Sequence, residues 1–165
     1  NKVQRQLKKS IMGNIFNDDF RDFLSALNKN EVRYILVGGF AVILHGYPRT
    51  TGDMDIWVER SPENYQRIKK AFLEFGMSVF DMTEENFLSH PNWDVFTYGI
   101  PPVAIDLMIQ VKGLDFETCF ANAVLFEDDN VKIRTIHRND LLKAKKQAGR
   151  AKDITDIENL SEKDS

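Results

Sequence analysis

Four apolar residues, Tyr34-Ile35-Leu36-Val37, run into Gly38-Gly39 and then into a second apolar run, Phe40 to His45. This reads as a buried strand that hands its backbone to a helix through a corner where two residues lack a Cβ. Bare glycine lets the chain turn tightly. It also lets a ligand approach the N–H groups at the helix start, where the dipole favours an anion such as phosphate. Thirteen residues separate Gly39 from Asp53-Met54-Asp55-Ile56-Trp57-Val58, a run of strand composition apart from its two acids. Alternate side chains of a strand leave the same face, so Asp53 and Asp55 project together while Met54 and Ile56 point into a core. Paired carboxylates repel unless a cation lies between them, and hard oxygen donors at this spacing suit Mg²⁺ or Mn²⁺.

Val103-Ala104-Ile105-Asp106-Leu107-Met108-Ile109-Gln110-Val111 is the strongest strand pattern in the second half of the chain. Alternation sets Val103, Ile105, Leu107, Ile109 and Val111 on one face and Asp106 on the other, with Ala104, Met108 and Gln110. An acid in mid-strand needs a reason. If this strand lies beside the Asp53 strand, Asp106 completes a three-carboxylate cluster able to hold two metal ions about 3.5–4 Å apart. Asp94, at the start of the preceding strand-like run, is the rival for that place.

In this order the residues resemble the signature of the nucleotidyltransferase superfamily of DNA polymerase β type, in particular its small bacterial members. That signature is a hydrophobic residue, Gly, Gly or Ser, a spacer, then Asp-hydrophobic-Asp/Glu-hydrophobic, with a further Asp on a later strand. Here it reads Val37-Gly38-Gly39, a spacer toward the long end of the range, Asp53-Met54-Asp55-Ile56, and Asp106. The approach Arg49-Thr50-Thr51 is similar to the Arg-x-Thr loop that precedes the Asp pair in small members. The tail from Asn139 to Ile157 is similar to the Asp-Leu-x-x-x-Lys and Gly-Arg-x-Lys-Asp-x-x-Asp pattern of the toxin-system and uncharacterised branch, with Ala151 where proline is usual.

The resemblance implies an α/β fold with a small mixed, mostly antiparallel sheet flanked by helices. It implies a metal-dependent transferase that moves a nucleoside monophosphate from a nucleoside triphosphate to an acceptor hydroxyl and releases pyrophosphate. Asp53, Asp55 and Asp106 would bind two Mg²⁺ or Mn²⁺ ions. Gly38, Gly39, Arg49, Thr51, Lys145, Arg150 and Lys152 would meet the nucleotide, the bases among them neutralising the triphosphate. Read without the resemblance, those bases are ordinary surface charges, and Asp153 and Asp156 are acids that favour a helix dipole. The acceptor is left open among a small molecule, a protein hydroxyl and an RNA 3′ end. The other class of reading is a non-catalytic nucleotide-binding or antitoxin-like module on the same fold, against which the three intact acids argue.

Composition adds exclusions. A chain of 165 residues fits one nucleotidyltransferase-like domain over residues 1–165, with 1–14 as a loose, basic N-terminal arm. A hydrophobic share of 42% and a charged share of 28% suit a globular chain, and the longest uncharged apolar run, Tyr34 to Leu44, is far shorter than a membrane span. A net charge of −3 argues against a broad nucleic-acid surface. Lone Cys119 leaves no internal disulfide and no cysteine-rich zinc site, and no secretory signal follows Lys2, Arg5, Lys8 and Lys9, so a cytoplasmic protein is expected. No partner membrane is expected, and self-association is left open.

Elsewhere the periodicity predicts an amphipathic helix from Asp18, a helix capped by Ser61 and ended by Gly76, and a short strand over Met77 to Asp81. It then gives one or two helical turns over Glu84 to Ser89 and a strand over Trp93 to Ile100. A short helix at Phe116 to Ala123, a strand at Val131 to Ile136, and helices Asn139 to Gln147 and Asp153 to Leu160 follow. His45, His90 and His137 do not cluster with carboxylates, and Trp93, Phe96 and Tyr98 read as core.

Overall fold

The structure is a computed structural model, and it describes residues 17–100 and 103–162. The expected N-terminal arm lies outside these residues. Among them, six strands form one sheet in the order β3-β4-β2-β1-β6-β5. The strands are β1 (Tyr34–Val37), β2 (Met54–Val58), β3 (Val95–Ile100), β4 (Val103–Met108), β5 (Val124–Asp128) and β6 (Val131–Thr135). Pairings β1–β2, β3–β4 and β5–β6 are antiparallel, while β1–β6 and β2–β4 are parallel, so the sheet is mixed and mostly antiparallel.

Seven helices occur among the described residues: α1 (Asp18–Lys29), α2 (Gly38–Leu44), α3 (Pro62–Phe75), α4 (Glu84–Leu88), α5 (Phe116–Asn122), α6 (Arg138–Ala148) and α7 (Ala151–Glu162). Local chemistry sets several of their ends. Asn17, Ser61, Thr83 and Asp115 cap α1, α3, α4 and α5 by accepting from main-chain N–H groups, and Gly76 and Gly149 end α3 and α6 in the left-handed conformation.

The sheet buries both faces. Tyr34, Leu36, Met54, Ile56, Val58, Ile105 and Leu107 pack on one side with Phe20, Phe23, Leu24 and Leu27 of α1 and Ile68 and Phe72 of α3. Ile35, Val37 and Trp57 pack on the other with Cys119 of α5, Leu141 of α6 and Leu160 of α7. Asp55 and Asp106 leave the sheet on this second side.

Three expectations need correction, and one strand lies outside them. Residues Met77 to Asp81 form no strand, because Ser78 Oγ takes the N–H of Phe80, Phe80 turns left-handed at φ +49°, and the N–H of Met82 donates to the carbonyl of Val79. Strand β5 is not among the elements the sequence periodicity predicts. Its signal is the turn Asp129-Asn130, both at positive φ, which folds β5 onto β6 as a hairpin. The helix after β1 starts at Gly38 itself rather than at Phe40. Strand β4 ends at Met108, and Val111 joins the opposite hydrophobic cluster from Ile109 because the chain has by then left the ladder.

Candidate active site

Strands β2 and β4 carry the acids to one another. Their parallel register sets Met54 opposite Ile105, in the core, and Asp55 opposite Asp106, on the other face. The two carboxylates are in hydrogen-bonding contact, and the Asp55 carboxyl is pushed up to about 7. Burial is the largest cause, followed by the charge of Asp106, the hydrogen bond with it, and the charge of Asp53, while Lys152 pulls the other way. Asp94 lies exposed before β3, where its carbonyl accepts from the N–H of Ile109, so it is Asp106 that the fold sets beside Asp55.

Asp53 departs from the expected arrangement. It precedes β2, in a bend after Gly52, so the strand ladder does not fix its side chain. Among the described residues, no three His, Cys, Asp or Glu side chains are gathered into one metal-holding group. The site is thus a tight carboxylate pair with a third acid as a charged neighbour. The donor set fits a divalent cation, since two hard carboxylate oxygen donors lie side by side on adjacent strands.

Gly38 and Gly39 explain themselves sterically. Gly38 has φ +72°, and a Cβ there would run into the Asp55 carboxylate; a Cβ on Gly39 would run into the side chain of Thr51, with the Arg49 guanidinium carbon 3.5 Å away. The strand-to-helix corner therefore lies directly against the acid pair and the Arg49–Thr51 loop. No side chain caps the start of α2, because its N-cap residue is Val37. Those N–H groups have no side-chain acceptor.

The tail is organised differently from a row of free bases. Lys145 is buried, with its Nζ 3.3 Å from Asp153 Oδ1 and 2.9 Å from Asp156 Oδ2. Asp156 also takes Arg49 Nη1 at 2.5 Å, and Asp153 takes Arg150 Nε at 2.7 Å and the Arg150 main-chain N–H at 3.1 Å. Hydrogen bonds from Arg150 and the charge of Lys145 outweigh burial and hold the Asp153 carboxyl below its usual range. Asp153 and Asp156 are thus buried hubs of a network that ties the Arg49 loop to α6 and α7.

Arg150 keeps an exposed side chain, at 60% of its accessible area, and Lys152 is exposed with no ion pair among the described residues. Gly38, Asp55, Lys145 and Arg150 line one cavity of about 160 Å³ together with Met108 and Asp153. That volume is too small for a whole nucleotide, so a base and sugar would lie outside it.

One contributor escaped the sequence reading. Thr97 of β3 stands opposite Asp106 and donates its hydroxyl to Asp106 Oδ1 at 2.7 Å. The signal was a polar residue alternating with Phe96 and Tyr98, but its meaning depends on the β3–β4 register. The histidines stay outside the site. His45 ends α2, donates from Nε2 to the carbonyl of Ile136 at 2.8 Å, and packs edge-on against Phe126.

Comparison with known proteins agrees with this geometry. The family described as "nucleotidyltransferase of unknown function" (DUF6036) matches residues 18–162. A solved structure of a "putative nucleotidyltransferase" from Thermotoga maritima superposes with a TM-score of 0.52 at 14% identity, covering 87% of this chain and 90% of that one, which shows a shared fold. No protein of curated function matches the chain.

Proposed function

Since the chain belongs to this nucleotidyltransferase family, we propose that it transfers a nucleoside monophosphate from a nucleoside triphosphate to an acceptor hydroxyl. The observation that carries this reading is the Asp55–Asp106 pair, set by the β2–β4 register directly under Gly38. Asp55 and Asp106 would hold Mg²⁺ or Mn²⁺, with Asp53 as the nearby third acid; the count of two ions is what the family resemblance implies. When bound, these ions lower the pKa of the acceptor hydroxyl and offset the charge of the triphosphate.

The chain's own residues do the rest. Glycines at 38 and 39 leave room for a phosphate against uncapped N–H groups. Thr97 holds the Asp106 carboxylate in one orientation. Arg150 and Lys152, exposed at the start of α7, offer charge to the β- and γ-phosphates. Lys145 and Arg49, already answered by Asp153 and Asp156, keep the loop and the tail helices in place around the site. The acceptor oxygen bonds to the α-phosphorus as the bond to the β-phosphate breaks, pyrophosphate departs, and the hydroxyl proton passes to solvent. Small molecules, protein hydroxyls and RNA 3′ ends all supply such an oxygen.

The test is transfer itself. Cell extract incubated with the chain, Mn²⁺ and each α-³²P-labelled nucleoside triphosphate should yield a labelled acceptor, identifiable by mass spectrometry. That label should be absent with the Asp55→Asn variant. Labelling that persists in the variant, or no labelling with any nucleotide, would count against the proposal.

A further inference from the structure

At the opposite end of β1 from Gly38, a cleft of about 570 Å³ opens between α1, α5 and the β5–β6 hairpin, lined by residues that include Arg33, Phe120, Leu125, Lys132 and Arg134. Two guanidiniums lie over the ring of Phe120, with Arg33 Cζ at 4.3 Å and Arg134 Cζ at 4.4 Å from its centroid. They differ in how their charge is answered. Arg33 pairs with Glu59 at 2.6 Å and with Glu117 at 2.7 Å. Arg134 has no carboxylate partner among the described residues, although its main-chain N–H is fixed on the Tyr34 hydroxyl at 3.4 Å. Lys132 has no ion pair either, and Glu127, its neighbour across the hairpin, leaves it unpaired.

We propose that this cleft binds a small phosphorylated ligand, its phosphate between Arg134 and Lys132 and its apolar part against Leu125. A half-buried guanidinium held on a ring has its fork preorganised, so an anion gains two directed hydrogen bonds at little ordering cost. Leu125, 55% exposed, supplies an apolar wall of the cleft. The size of the cleft suits a small molecule. A nucleic-acid track needs an extended basic face, whereas here there are two cations without an ion pair among the described residues, Glu31 in the lining, Glu127 alongside, and a chain of net charge −3.

The experiment is a titration of the isotope-labelled full chain with phenyl phosphate in EDTA, followed by amide chemical shifts. Shifts should saturate at Phe120, Leu125, Lys132 and Arg134, and phenol should not reproduce them. Arg134→Gln should weaken binding about tenfold, as expected for losing hydrogen bonds to a charged group, and the exposed Lys132→Gln should weaken it about threefold. Shifts confined to Gly38, Gly39 and α6–α7, or unchanged affinity in both variants, would overturn the proposal. Tighter binding of a ten-nucleotide strand that depends on Arg134 would overturn its small-ligand form. Because the readout is residue by residue and metal-free, the result stands apart from the transferase reading.

Discussion

Asp55 is the side chain at which pH and the site meet. Its folded-state value, about 7, lies above the ordinary 3.8, so the native state holds this proton more tightly than the unfolded chain does. The associated stability is complete below about 4 and is lost as the pH rises through about 7. In EDTA at pH 8, Asp55→Asn should therefore raise stability by about 1–2 kcal/mol, well under the roughly 4 kcal/mol that a rise of about 3 units at ~1.4 kcal/mol each would give, because the group is only part-buried. Urea titrations from pH 4 to 8 would show the gain growing with pH; a variant less stable than the parent at pH 8 contradicts it. Thr97 acts on the other member of the pair. Thr97→Val should reduce Mn²⁺ affinity about tenfold, the usual effect of losing a partner that orients a ligand, while unfolding shifts little because the residue is exposed. Undiminished Mn²⁺ affinity would make the hydrogen bond incidental.

Helices α6 and α7 show how charges with similar sequence signatures divide their work. Lys145 lies buried between two buried acids, so Lys145→Met should destabilise the fold by about 3–5 kcal/mol by leaving those acids unanswered. Arg150, largely exposed, should behave oppositely. Arg150→Ala should cost less stability than Lys145→Met, since Lys145 and the main-chain N–H of residue 150 still answer Asp153, and should weaken triphosphate binding by about 1.5–3 kcal/mol, with a smaller loss for the monophosphate. Parallel calorimetric and unfolding measurements on both variants separate the roles, and a fully stable Lys145→Met protein would mean that the network is not structural. In the sequence these bases looked alike, because charge type and spacing do not show which helix face is buried. Elements with strong periodicity were legible: α1 and α3 from their apolar stripes and caps, β1 and β2 from the glycine corner and the acid pair. What failed was set by tertiary partners. Strand β5 is defined by its Asp129-Asn130 turn, which lays it on β6, and Met77 to Asp81 has strand composition but follows its own turn hydrogen bonds.

At the scale of the molecule, the sheet order is what makes a site out of dispersed residues. Placing β2 between β1 and β4 brings Gly38, Asp55 and Asp106 into adjacent strands or their ends, though they are far apart in the chain, and α6–α7 close over that face. The identity of the third acid was thus legible only as an alternation, and its partner only from the strand pairing. No described helix is long and apolar enough to cross a membrane. The central claim is that the Asp55–Asp106 pair is a metal-dependent triphosphate site. The most direct measurement is calorimetric titration of a non-hydrolysable nucleoside triphosphate into the protein with Mn²⁺ and again with EDTA, for the parent, Asp55→Asn and Asp106→Asn. Binding that requires Mn²⁺ and falls at least tenfold in each folded variant is the predicted result. Binding equal in EDTA, or unchanged by both substitutions, would contradict it.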